Sequence, residues 1–155
     1  MNKFASIIVA AIALGGCSPS LPKCSSPDPK AIAGALYGRE QFRVMLTNVA
    51  KTTVTGKMVA EKDLAGFEKR LSVAVDHALE RHGGEWETNL AKAYSDTLNQ
   101  QELSALCVAM NANDKASFRR FADQVGADMK SKSTPLLQTA GVEVIKELFE
   151  EQPAK

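Results

Sequence analysis

The sequence has little of what most enzymes need. It holds two histidines, one tryptophan, two tyrosines and three cysteines in 155 residues. It has no glycine-rich phosphate loop and no Gly-x-Ser-x-Gly nucleophile elbow. Charge of one sign is also lacking, with 19 Lys plus Arg against 18 Asp plus Glu. Without a basic excess, no nucleic-acid partner is expected. Long apolar runs are missing too. Phe4 to Leu14 is free of charge, but as a helix it would reach only about 17 Å. Spanning a bilayer core takes roughly 20 apolar residues.

What is present begins at that run. Met1-Asn2-Lys3 gives a short positive start, Phe4–Leu14 an apolar stretch, and Leu14-Gly15-Gly16-Cys17 follows. Charge, length and small residues fit a secretory leader over residues 1–16. The tetrapeptide resembles the lipobox of bacterial lipoproteins. There an aliphatic residue and two small ones let the signal peptidase approach, and the cysteine thiol takes the diacylglycerol. Gly15 departs from the more usual Ala or Ser. The resemblance implies a lipidated Cys17 carrying palmitate-type chains, three in all. One chain binds a membrane marginally, whereas several hold it firmly. Ser18, in place of an aspartate, points to the outer membrane facing the periplasm over the inner membrane. No cofactor or metal is expected; the partners expected are the membrane, through the lipid, and an envelope protein.

With Lys3 gone, the mature chain is charge-balanced and of a length that suits one domain with one core. Residues 17–29 read as a tether, since four of the six prolines fall between Ser18 and Pro29. In extended polyproline form it would reach about 35 Å and lift the domain off the headgroups. Cys24 lies in it and Cys107 far beyond. An exported chain permits a disulfide between them, and so long a loop would stabilise by about 4 kcal/mol in the chain-entropy model. The other reading leaves Cys107 a small buried hydrophobe.

Residues 30–151 read as an all-α compact bundle of about six or seven short helices, followed by a 152–155 tail. Asp28-Pro29 opens the first, with Ile32 and Leu36 buried and a stop at Gly38. Phe42, Met45, Leu46 and Val49 form one face of a second, which weakens through Thr52–Thr55 to end near Gly56. Asp63 caps a third, with Leu64, Phe67, Leu71, Val75, Ala78 and Leu79 inward and Gly83-Gly84 as its end. A fourth carries Trp86, Leu90, Tyr94 and Leu98. Asn99 with Glu102 resembles a capping box opening a fifth, with Leu103, Leu106, Cys107 and Met110. Asp114 starts a sixth, with Phe118, Phe121, Val125 and Met129. Thr134-Pro135 marks a fresh start for a last helix burying Leu137, Val144 and Leu148, with Gly141 at a close contact.

From Ile32 to Phe149 the pattern resembles the family called domain of unknown function 2059, an all-α family of exported bacterial proteins. The matching places are Ala33-Gly34-Ala35-Leu36-Tyr37-Gly38 with the Phe42–Met45 helix, Trp86 through Tyr94, Asn99-Gln100-Gln101-Glu102-Leu103, and Leu106. The family then commonly continues with Phe-Tyr, Ser-Pro and Gly, where this chain has Ala109-Met110, Ala112-Asn113 and Lys115. The resemblance implies a fold and a location, and no activity.

The remaining candidates are weighed against plain structure. His77 and His82 lie five residues apart, about 140° around a helix, so their rings should face different sides, unlike an i, i+4 metal pair. Cys107 as a nucleophile is opposed by its apolar stripe. Glu85 and Glu87, a carboxylate pair in principle, sit at a helix start that favours acids anyway. The acidic Glu143, Glu147, Glu150 and Glu151 and the basic Lys115, Arg119, Arg120, Lys130 and Lys132 read as solvated faces or a docking surface. Met45, Met110, Phe118, Phe121 and Met129 would line a pocket for an apolar ligand or simply fill the core. The expected function is a non-enzymatic, lipid-anchored interaction or support module. A carrier of an apolar ligand is the alternative, and an enzyme of unrecognised type comes third.

Overall fold

Side-chain caps set where the helices begin. Asp28 accepts from the amides of Lys30 and Ala31, with proline in the first turn of α1, Pro29–Ala35. Asp63 accepts from Gly66 and opens α4, Leu64–Thr97. Asn99 and Glu102 form a reciprocal capping box at the head of α5, Gln100–Ala112. Asp114 accepts from the amides of Ala116 and Ser117 and starts α6, Lys115–Glu150. Between the first and second of these lie α2, Gly38–Thr52, and α3, Val54–Lys62. The computed structural model describes residues 20–36 and 38–150. Among the described residues there are six helices and no strand. The leader 1–16 with Leu14, Gly15 and Gly16, the lipidation position Cys17, Ser18, Tyr37, Glu151 and the 152–155 tail lie outside them.

The six helices agree with the expected number, but two of them are longer than the sequence suggests. α4 runs through Gly83-Gly84, and α6 runs through Thr134-Pro135. At about 1.5 Å per residue, their 34 and 36 residues extend about 51 and 54 Å. Packing explains both continuities. Gly83 is buried beneath Arg39, where a β-carbon would come within 2.8 Å of the guanidinium Nε. Pro135 leaves the Ser131 carbonyl without its helical donor. Close by, Asn89 of α4 donates to the Lys132 carbonyl at 3.3 Å, and the Thr134 hydroxyl donates to Lys130 at 2.7 Å. Long burial along the α4–α6 seam outweighs the roughly 1–3 kcal/mol local cost of each breaker.

Another difference lies between α2 and α3. The chain turns on Thr53 alone, and Lys57 to Lys62 is helical where no helix was expected. The Thr53 hydroxyl donates to the Ala50 carbonyl at 2.9 Å and accepts from the Gly56 amide at 3.1 Å. The turn is so tight that a β-carbon at Gly56 would lie 1.8 Å from the Ala50 oxygen. Two expected core residues move as well. Leu64 is 63% exposed at the first position of α4. Leu137 is only partly buried, because Leu136 takes the inward place.

The core is continuous from α1 to α6. Its largest buried side chains include Trp86, Phe42, Phe67 and Ile32. Phe42 of α2 stacks on Trp86 of α4, with centroids 4.7 Å apart and planes 9° from parallel. Such a pair adds about 0.5–1.5 kcal/mol to its area burial. α6 lies antiparallel to α4, as the cross-links His77–Glu147, His82–Glu143 and Lys132–Asp96 require. Gly141 of α6 lets Val49 of α2 approach, 3.3 Å from where a β-carbon would be. Among the described residues no helix is long and apolar enough to cross a membrane.

Candidate functional site at the stapled amino-terminal segment

The expected free tether is bound to the bundle over its described part. Pro22 and Pro27 cannot donate backbone hydrogen bonds and keep the segment out of the helix that Pro29 opens. The amides that remain find partners on the α5–α6 turn. Leu21 donates its amide to the Asn113 side-chain oxygen at 2.9 Å. Cys24 donates to Asn111 Oδ1 at 2.9 Å, and Asn111 Nδ2 returns a bond to the Cys24 carbonyl at 2.9 Å. Lys23 Nζ reaches the Asn111 carbonyl at 2.7 Å. Leu21 is packed on the core and Cys24 is buried.

A disulfide closes the contact. Cys24 and Cys107 are bonded, with α-carbons 5.3 Å apart and a sequence separation of 83. Cys107 is also a buried member of the core, so each of the two readings of this residue describes part of its role. The polar partners have a local cause. α5 ends on Asn113 in the left-handed conformation, φ 56° and ψ 31°, which asparagine tolerates better than most residues. The Asp114 amide then reaches the Ala109 carbonyl and the Asn113 amide the Met110 carbonyl, a Schellman closure. That closure leaves the Asn111 and Asn113 side chains free to hold an incoming strand of chain. The only advance signal was an asparagine at a helix end.

A second cluster lies on the α4–α6 seam. Although five residues apart, His77 and His82 both reach α6 carboxylates. His77 pairs with Glu147 and His82 with Glu143 at 2.9 Å, while Arg81 between them bonds Glu143 at 3.0 Å. The expectation of divergent rings therefore fails, because the two glutamates stand one turn apart and straddle the seam. The hydrogen bond from His82 is the main cause holding the Glu143 carboxyl below its ordinary range. Higher up, Lys132 bonds Asp128 and Asp96, and Lys92 also reaches Asp96. Chiefly through Lys132, the Asp96 carboxyl is held low. The acidic face thus splits, with Glu143 and Glu147 cross-linking helices and Glu150 pairing with Lys146. Glu85 is exposed, and Glu87 lies near Arg39 at 3.7 Å. Among the described residues no group of three His, Cys, Asp or Glu side chains is placed to hold a metal ion.

The five residues read as a pocket lining sit in different places. Met110, Phe118, Phe121 and Met129 are buried in the α5–α6 part of the core, and Met45 of α2 packs on it from outside. An open hollow of about 320 Å³ lies elsewhere, lined by Gly34, Gly38, Arg39, Glu40, Arg43 and Glu87, and includes none of them. Its charged walls suit a polar occupant better than an apolar one. Comparison with protein-family models, with curated proteins and with solved structures finds no match to the chain.

Proposed function

We propose that this chain is a lipid-anchored module of the bacterial envelope, non-enzymatic, which binds or supports another envelope protein. The observation that carries the reading is the Cys24–Cys107 bond. Disulfides form and persist in oxidising compartments and are rare in the bacterial cytosol. A stapled domain directly behind a lipobox-like leader is consistent with export followed by acylation at Cys17. The resemblance to the domain of unknown function 2059 family supports the same location. The interaction part of the reading is supported by the exposed apolar side chains of the α3 region, Val54 at 75%, Met58 at 57% and Leu64 at 63%. Val54 and Met58 are one helical turn apart, and large apolar groups gathered on a surface commonly mark a contact site.

Metabolic labelling of an expressing bacterium with an alkyne fatty acid tests the anchor. Label is expected on the wild-type chain in the membrane fraction, mainly the outer membrane, and none on Cys17→Ser. An unlabelled or cytosolic wild-type chain refutes the reading. Cross-linking from Met58 in membranes is expected to capture an envelope protein.

A further inference from the structure

We infer that the α5–α6 end of the bundle lies against the bilayer that holds the anchor, with Lys23, Arg119 and Arg120 toward anionic headgroups and the α3 end directed away. The inference rests on the proposed acylation of Cys17 and adds an orientation to it. Only Ser18 and Pro19 stand between that cysteine and Ser20. Three peptide steps reach at most about 11 Å. Ser20 precedes Leu21, whose amide is held by Asn113, and Cys24 is bonded to Cys107. The membrane attachment is therefore leashed to the α5–α6 turn on a few residues, not on the long tether that the prolines suggested.

The charge at that end suits the surface it would meet. Lys23, Lys115, Arg119 and Arg120 lie at or within about two helical turns of the turn, with Asp114 and, one turn beyond the arginines, Asp123 as the acids. Arg119 and Arg120 are exposed, and Arg120 lies over the Phe121 ring at 5.1 Å. The Asp114 carboxylate accepts from Ser117 and from two amides of its own helix, and Arg120 adds a weaker attraction to it. Attraction to an anionic surface decays over about 10 Å at 0.1 M salt, and the leash holds Ser20, at the foot of this cationic end, within about that distance of the acylated cysteine. The α3 end is separated from the turn by the whole length of α4, about 51 Å for its 34 residues.

The test uses the full chain extracted from a bacterial envelope. It is reconstituted in vesicles of phosphatidylethanolamine and phosphatidylglycerol that carry a headgroup nitroxide. A fluorescent amino acid replaces Val108 in one preparation and Val54 in another, positions that are 68% and 75% exposed. Quenching at 108 is expected to be several-fold stronger than at 54. Arg119→Glu with Arg120→Glu is expected to narrow that difference here and not in vesicles of phosphatidylcholine alone. Equal quenching at the two positions, in protein whose mass shows an acylated Cys17, overturns the orientation and leaves the anchor standing. An unacylated Cys17 overturns the anchor and the orientation together. A difference unchanged by the double substitution overturns the assignment of the two arginines.

Discussion

Removing the disulfide is the perturbation whose size follows most directly from the fold. Bonding Cys24 to Cys107 closes a loop of sequence separation 83. In the chain-entropy model such a loop lowers the entropy of the unfolded chain by enough to stabilise the fold by about 4 kcal/mol. The native geometry adds little that the bond alone supplies, because Leu21 and Cys24 also hold Asn113 and Asn111 by hydrogen bonds. The double variant Cys24→Ser, Cys107→Ser is therefore expected to keep its helices and lose most of that stability. With a urea m-value of about 2 kcal/mol/M, its midpoint should fall by about 2 M. The m-value should rise as well, since an unlinked denatured chain exposes more surface. Urea titrations followed by circular dichroism, with thiol counting of the parent, give all three quantities. A midpoint that drops by less than about half a molar, in a parent shown to be fully oxidised, would refute the entropic account.

Other expectations are local. Gly56→Ala should destabilise by more than about 1 kcal/mol, because the Ala50 carbonyl blocks the new carbon, whereas Gly84→Ala, with nothing within 4 Å, should stabilise by about 0.5–1 kcal/mol; thermal melts of the two read opposite signs. Trp86→Ala should cost about 3–5 kcal/mol. Trp86→Phe should cost much less, since it keeps the stack on Phe42 and removes a buried indole N–H that has no acceptor among the described residues. Glu143 and Asp96 have carboxyls held low by His82 and by Lys132, respectively. A depressed folded pKa adds stability above the unfolded value, near 4.5 for Glu143 and 3.8 for Asp96, which is lost as pH falls through the folded one. Glu143→Gln should thus flatten the acid limb of a stability–pH curve. Asn111→Ala should release the segment around Cys24, at a cost of roughly 1–3 kcal/mol, seen as faster hydrogen exchange at the Cys24 amide.

The sequence was most legible where a short-range rule acts. The caps at Asp28, Asp63, Asn99 and Asp114 could be read from one or two residues each, and they fall where expected. The inward faces around Phe42, Leu71, Leu106 and Val144 followed from helical spacing. Breakers misled, because their cost is local and its repayment is not. Gly83 lies under Arg39 and Pro135 near Asn89, partners 44 and 46 positions away that no window contains. The stapled segment was half legible. The cysteines announced a bond as one of two readings, but nothing in the local sequence set Asn111 or Asn113 apart. Their role depends on which chain the turn meets. The histidines misled for a related reason, since angular spacing on α4 says nothing of where Glu143 and Glu147 stand on α6.

The ring closed by Cys24 and Cys107 also determines how the molecule bears a load. Tension entering at Ser20 passes across the sulfur–sulfur bond straight into α5, and its remaining route runs through α6. The stretch from α1 to α4 is enclosed in the covalent circuit and carries none of that pull. Tugging on the front of the chain therefore cannot peel the first helices away one after another, as it would from an uncrosslinked bundle.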